Sequence, residues 1–330
     1  MGTGESVLQI RNVKKSYRNK RSKEWVEAVK GISLDVCRGE VVGLLGPNGA
    51  GKTTFIKMMS GLLVPDEGEV QIHGISMNKQ RLKALQHISV VLEGNRNLYW
   101  RMTAKENLEY FSGNRGLSRK ELQSRIAELL DMFRLSHKAD EQVNRLSRGM
   151  QQKVSIAVSL LADTDVIFLD EPTLGLDVDA SYDIREVLHR VAKEEQKTVL
   201  LSSHDMPVVQ QICERAVIIN EGRVVADDRV SSLLELFSSK AYAFVLNQPL
   251  TTKGHALFEE ADVLYSVEET DPTWTLHVTM QQDADFYRVV DLLKDADASI
   301  QEVNRDVVDF EKVFVNIVKG GGHREVVASV

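Results

Sequence analysis

The stretch Gly46-Pro47-Asn48-Gly49-Ala50-Gly51-Lys52-Thr53-Thr54 gathers three glycines, a lysine and two hydroxyls into one short span. Glycines let the backbone curl until successive N–H groups converge on phosphate oxygens. A lysine ammonium then settles between the outer two phosphates, and a threonine hydroxyl ligates magnesium. The spacing GxxxxGK[ST] therefore predicts that Gly46 through Thr54 bind a nucleoside triphosphate, with Lys52 on the phosphates and Thr53 on the metal. A second segment, Val166-Ile167-Phe168-Leu169-Asp170-Glu171-Pro172, supplies acids. Its four apolar residues make a buried strand. Asp170 at the strand end is placed to hold the magnesium shell, and Glu171 is placed to polarise an attacking water.

Between these lies Leu146-Ser147-Arg148-Gly149-Met150, followed by Gln151-Gln152-Lys153. Ser147 is a natural N-cap, and the N–H groups opening the next helix form an anion site with the helix dipole aimed outward.

A phosphate site of this kind needs a strand, a glycine loop and a helix in that order, and the flanking sequence provides them. Strands are expected at 7–13, 32–36 and 41–45, the last running into the glycine loop, and a helix over 53–62. Pro65-Asp66-Glu67-Gly68 is a turn, and 69–73 reads as the next strand. From about 95 to 163 the pattern is helical. Ser118 with Glu121 makes a capping box, and Leu122, Ile126, Leu129, Leu130 and Phe133 form one core-facing stripe. Strands return at 166–169, 198–202 and 216–220, with a helix over 182–195 between the first two. The expected fold class is α/β with a helical insertion.

Beyond about 236 the pattern changes to a small α+β domain. Strands are expected at 242–246, 263–267, 274–280 and about 300–304, with an amphipathic helix over 285–293 and a last helix over 309–318. Gly320 to Gly322 begin a tail expected to be disordered. The division is thus 1–236, containing a helical subdomain over about 95–165, then 237–320, then the tail 321–330.

Composition narrows the partners. A net charge of −7 argues against nucleic acid, which selects a basic surface excess. The two cysteines, Cys37 and Cys213, have no pairing or metal-ligand spacing and suit a reducing compartment. No run reaches the roughly 18 apolar residues of a membrane span, because Asp163 and Asp165 interrupt the longest candidate. The opening MGTGESVLQI has no basic region followed by an apolar core, so no secretory signal is expected. The basic arm of Lys14, Lys15, Arg18, Lys20, Arg21 and Lys23 reads as a solvated loop.

Over residues 6 to 236 the three segments together resemble the ATP-binding cassette (ABC) ATPases, with LSRGM standing where that family carries its LSGGQ signature. The resemblance implies an ATP-hydrolysing subunit with Mg2+ as cofactor. Two copies, or one copy and a paralogue, sandwich ATP head to tail. Ser147 and Gly149 of one chain then face the γ-phosphate held by the other. The resemblance further implies that Tyr17 stacks on adenine, with Trp25 the competing candidate. Asp177, in Gly175-Leu176-Asp177, couples the two sites across the dimer, and His204 contacts the γ-phosphate and orients the water. Glu171, His204 and Lys52 are then the catalytic residues. Three departures stand out. Arg148 and Met150 replace the usual glycine and glutamine, and basic residues at the first position resemble a subgroup of exporters. Glu93 stands where the family typically has glutamine, so a carboxylate joins Thr53 and Asp170 as a metal ligand and adds negative charge beside the triphosphate. Asn97-Leu98-Tyr99-Trp100 is a candidate docking surface for an integral-membrane permease. The resemblance therefore implies a peripheral position on the cytoplasmic face of the membrane. The final domain resembles the C-terminal extension of bacterial exporter ATPases that pair with a separate six-helix permease. The rival readings are a soluble cassette ATPase acting on DNA or the ribosome, and a regulatory subunit with weak hydrolysis.

Overall fold

Three five- or six-residue strands, Val41–Leu45, Val166–Asp170 and Thr198–Ser203, are buried along their entire length. Uninterrupted apolar runs are what parallel strands covered on both faces require. A computed structural model describes residues 5–18, 23–94, 97–112, 119–204, 206–237, 240–261, 263, 265–270, 273–280, 284–305, 314, 315, 317 and 318.

Through the glycine loop the chain forms β1 (Ser6–Arg18), β2 (Trp25–Cys37), β3 (Val41–Leu45) and α1 (Lys52–Met59). Next come β4 (Glu67–Ile72), β5 (Ile75–Ser76), α2 (Arg81–Ala84) and β6 (Ile88–Val91). The helical stretch holds α3 (Ala104–Ser112), α4 (Arg119–Met132) and α5 (Arg148–Leu161). After it run β7 (Val166–Asp170), α6 (Val178–Glu194), β8 (Thr198–Ser203), α7 (Met206–Ile212), β9 (Arg215–Asn220) and β10 (Arg223–Arg229). The remainder is α8 (Val230–Phe237), β11 (Lys240–Leu246), α9 (Thr252–Glu260), β12 (Tyr265–Thr270), β13 (Thr273–Met280), α10 (Ala284–Asp295) and β14 (Ile300–Arg305).

The central sheet has the order β10-β9-β3-β8-β7-β6; its pairs are parallel except for the β9–β10 edge. An antiparallel sheet, β2-β1-β4-β5, shares a core with it. In that core Leu8, Ile10, Val70 and Ile72 meet Phe55 and Ile56 of α1 and Leu44, Phe168, Leu200 and Val217 of the central strands. The helical stretch packs α3 and α4 on α5. Ile126, Leu129, Leu130 and Phe133 of the expected stripe are buried, and Leu122 is partly so.

The chain divides into two compact units, one reaching Val230 and resuming after Val315, the other spanning Ser231–Val315. The second unit is an antiparallel sheet of order β12-β13-β11-β14 with its own core. Phe244, Leu246, Leu276 and Val278 of that sheet pack with Phe258, Val289 and Leu293 of α9 and α10.

Several boundaries differ from expectation for physical reasons. β1 and β2 are longer than their apolar stretches because they pair with each other as far as Arg18↔Trp25, so Lys14 to Arg18 are strand rather than solvated loop. Lys20 and Arg21 lie outside the described residues. Helix α1 ends at Met59, ahead of Gly61 at φ +70°. Helix α6 begins at Val178 rather than 182 because the Asp177 carboxylate caps it, accepting from Ala180 N at 2.7 Å. Thr103 and Glu106 form a reciprocal capping box at the start of α3, with Thr103 Oγ1 accepting from Glu106 N at 3.0 Å and Glu106 Oε2 accepting from Thr103 N at 2.7 Å. The Ser118 half of the expected box lies outside the described residues. Helix α9 is unanticipated, and β12 begins at Tyr265 rather than 263. Of the expected last helix, Phe314, Val315, Ile317 and Val318 are helical; the rest lies outside the described residues, as does the tail.

A buried ion pair joins α5 to α6: Lys153 Nζ lies 2.5 Å from Asp183 Oδ2, with side-chain exposures of 9% and 8%, and Arg134 Nη1 reaches Asp183 Oδ1 at 3.2 Å. Removing Lys153 would leave the buried Asp183 charge to the largely exposed Arg134. Lys153→Met is expected to cost about 3 kcal/mol in urea unfolding, and Lys153→Met/Asp183→Leu to recover most of that loss.

Candidate active site

Four neighbouring parallel strands end at one edge of the central sheet, and each carries a residue picked out from the sequence. β3 runs into the glycine loop, β8 into His204, β7 into Asp170 and Glu171, and β6 toward Glu93. Ligands of open α/β sheets bind at this carboxyl edge.

The loop is shaped by close backbone approach. Gly51 has φ +104°, and a Cβ there would stand 2.3 Å from Ala28 O of β2, so no other residue fits. Ala50 O accepts from Gly222 N at 3.0 Å, tying the loop to the β9–β10 turn. Asn48 and Gly49 are exposed at the tip, Pro47 and Thr54 are half-buried, and Gly46 is buried at the end of β3. Helix α1 opens with no side-chain cap, leaving its first N–H groups for an anion. The buried Lys52 ammonium donates to Gly46 O at 2.6 Å and Pro47 O at 3.3 Å. Burial pushes its pKa down, against the opposing charges of Glu171 and Asp170.

Asp170 sits opposite Ser202 in the β7–β8 register. Its Oδ1 accepts from Ser202 Oγ at 2.6 Å and from Thr53 Oγ1 at 3.3 Å. Oδ2 is buried and has no hydrogen-bond partner among the described residues. An orphaned carboxylate oxygen beside a hydroxyl is an all-oxygen donor set, so the residues present fit a hard divalent cation such as Mg2+. Glu93 is exposed and lines the same cleft, of about 680 Å³, together with Thr53, Lys57, Asn97 and Asp170.

Glu171 adopts φ +51°, a left-handed conformation costly for a non-glycine residue, and its N–H donates to Ser202 Oγ at 2.9 Å. Its carboxylate Oε2 lies 2.9 Å from His204 Nδ1. An ionised carboxylate only accepts, so Nδ1 carries the proton of this bond. Ser202 thus binds the Asp170 carboxylate and the Glu171 backbone, a role the sequence reading missed. The only available signal was the pair of serines, Ser202 and Ser203, ending an otherwise apolar strand.

Tyr17 is 43% exposed and Trp25 70% exposed, near each other at the end of the β1–β2 ladder. Tyr17 pairs with Val26, two residues from the Ala28 that touches the loop. At the start of α5, Ser147 Oγ accepts from Met150 N at 3.3 Å as the expected cap. A Cβ on Gly149 would stand 2.6 Å from Ala180 Cβ, and the Arg148 guanidinium rests against Gly175. Ser147, Gly175 and Asp177 are exposed where α5 and α6 begin, with Gly149 buried between the two helices.

A glycine loop opening a helix beside two carboxylates on the edge of a parallel sheet defines a P-loop nucleoside triphosphatase. The ABC transporter family model matches residues 29–174. The chain is 42% identical to the ABC transporter ATP-binding protein NatA of Bacillus subtilis, over 71% of its own length and 95% of that protein's. It is 39% identical to the Nod factor export ATP-binding protein I of Burkholderia orbicola, over 69% and 72% respectively. Its fold resembles the ATP-binding cassette MJ0796, solved as a dimer in a post-hydrolysis state bound to ADP and Pi. That match has a TM-score of 0.62 and 32% identity, and covers 68% of this chain and 98% of that one. The chain belongs to the ABC transporter ATP-binding subunits and is an ATPase.

Ser202→Ala would leave the Glu171 N–H without its acceptor and remove the shorter of the two hydrogen bonds to Asp170 Oδ1. It is expected to lower stability by about 1–3 kcal/mol in denaturant unfolding. It is also expected to reduce kcat for ATP by roughly tenfold in a phosphate-release assay.

Proposed function

We propose that this chain drives a bacterial exporter by ATP-dependent closure of a cassette dimer against a separate membrane permease. The observation that carries the reading is the exposed, Ser147-capped start of α5. It is an anion site on a fourteen-residue helix, while the chain's glycine loop is built on other elements. Two copies placed head to tail would match each loop with the other's helix start. The dimeric ADP- and Pi-bound relative supports that arrangement. The export protein of Burkholderia orbicola supports the direction of transport.

In this reading Lys52 gives up its bonds to Gly46 O and Pro47 O and moves onto the outer phosphates. The loop N–H groups from Gly46 to Thr54 hold the remaining phosphate oxygens, and Tyr17 or Trp25 stacks on the base. Glu171, oriented by Ser202 and His204, takes a proton from the attacking water. Mg2+ held by Thr53 and Asp170, with Glu93 alongside, would neutralise charge on the phosphates. Ser147 and Gly149 of the second copy would complete the γ-phosphate site, and Asp177 would couple the two sites.

No helix among the described residues is long and apolar enough to cross a membrane, so transport calls for a membrane partner. Tyr99, Trp100, Tyr110 and Phe111 offer it an exposed aromatic surface, with the rings of Tyr99 and Tyr110 4.7 Å apart. Aromatic rings on a rigid helical base are favoured anchors for a partner. The chain would then sit on the cytoplasmic face of the membrane through its permease.

Glu171→Gln is expected to cut ATP turnover by about 10²–10⁴-fold while ATP-bound dimer accumulates in gel filtration. Wild-type turnover in this variant would overturn the assigned base. Co-expression with a polytopic protein from the neighbouring reading frame should carry the chain into the membrane pellet. Tyr99→Asp/Phe111→Asp should abolish that recruitment and leave ATP hydrolysis by the free chain within about twofold, as expected for an interface substitution.

A further inference from the structure

At the opposite end of the strands that carry the nucleotide site, two histidines and an aspartate converge. His73 stands at the tip of the β4–β5 hairpin, His87 immediately precedes β6, and Asp165 immediately precedes β7. His87 Nδ1 lies 2.8 Å from Asp165 Oδ2, and His73 Nε2 lies 3.2 Å from the same oxygen. The two rings meet edge to face with centroids 5.0 Å apart. One ligand atom from each residue falls within 4.8 Å of the other two. His73 Nε2 is buried, and its approach to Asp165 does not align as a hydrogen bond. An ordinary His–Asp pair accounts for His87 but not for a second imidazole nitrogen aimed at the same oxygen.

We propose that His73, His87 and Asp165 bind a divalent transition-metal ion of the Zn2+ class, distinct from the nucleotide's Mg2+. Two imidazoles and a carboxylate form a borderline N/O donor set that Mg2+ disfavours and Zn2+ accepts. Metal–ligand bonds of about 2.0–2.2 Å at tetrahedral angles put ligand atoms about 3.3 Å apart. The His73–Asp165 separation is already near that value. The His87–Asp165 bond must open by about half an ångström to reach it, a small side-chain adjustment. The three side chains are 25%, 35% and 38% exposed, so an ion can enter and water can complete its shell. The charge of Lys197 also reaches Asp165. Lys197 is itself held 2.7 Å from Asp163, which tempers its repulsion of a cation.

An ion here would clamp the β4–β5 hairpin to the first residues of β6 and β7. Asp170 and the approach to Glu93 lie at the far ends of those strands. Asp165 and Asp170 are separated by the length of β7, about 16 Å at 3.3 Å per residue. The clamp would therefore bear on the nucleotide site through the strands, without touching nucleotide.

The test uses the full chain, stripped with chelator and kept free of Mg2+ and nucleotide. Zn2+ affinity is read by competition with a chromogenic chelator. The wild type and Asp170→Asn should each bind one equivalent per chain, and His73→Gln and His87→Gln should each bind about tenfold more weakly or worse. X-ray absorption of the Co2+-loaded wild type, which needs no variant, should show two imidazoles in the metal shell. The proposal is overturned if the wild type binds no stoichiometric ion, if binding is lost in Asp170→Asn alone, if neither histidine substitution weakens it, or if the shell contains sulfur or lacks imidazole.

Discussion

The hydroxyl of Ser202 holds the site together. It donates to Asp170 Oδ1 and accepts from the Glu171 N–H, so one side chain on β8 fixes the carboxylate that ends β7 and the backbone of the residue that follows it. That arrangement exists only because β7 and β8 are parallel neighbours in the register Asp170↔Ser202, both buried along their whole length. A shift of one residue would turn Asp170 to the other face of the sheet. The left-handed backbone at Glu171 is costly, and the bond to Ser202 is one of the contacts that sustain it. The glycine loop, on the far side of β8 from β7, depends on the same sheet for its place against Ala28 and the β9–β10 turn.

Much of the fold could be read from the chain because parallel strands and phosphate loops use distinctive residues. Val41–Leu45 and the first four residues of Val166–Asp170 are apolar, and Gly46 to Thr54 has few competing explanations. What could not be read was set by partners remote in sequence. Lys14 to Arg18 look like a polar arm and become strand only because β2 pairs with them. β6 is four residues long, with two of them half-buried, too short to show a period. Ser202 is one of two serines closing an apolar run, and nothing local tells it from Ser203. The same holds for His73, His87 and Asp165, which carry no spacing that would mark them as a group. The β6–β7 pairing brings His87 and Asp165 together, and the packing of the antiparallel sheet on the central one adds His73.

Glu93 illustrates a mixed case. Its departure from the expected glutamine was visible at once, whereas its place in the cleft beside Thr53 and Asp170 needed the arrangement of β6 next to β7. The cleft gathers the Lys57 ammonium together with the two carboxylates and the Asn97 amide. Asn97 also donates to Ser155 Oγ of α5 at 2.7 Å. A connection thus runs from the metal-facing cleft into the helix whose first turn carries Ser147 and Gly149. Glu93 stands at the junction of the sheet and the helical stretch.

The close approach of α5 and α6 has a consequence for how such chains can diverge. With Ala180 Cβ 2.6 Å from where a Gly149 side chain would begin, the two positions cannot both carry ordinary side chains in this packing. A lineage could gain a residue at 149 only after 180 had been reduced to glycine, and that intermediate would weaken the first turn of α6. Arg148 meets no such barrier. Its side chain leaves along the surface toward Gly175, so this position of the signature can vary by single steps while its neighbour stays historically locked.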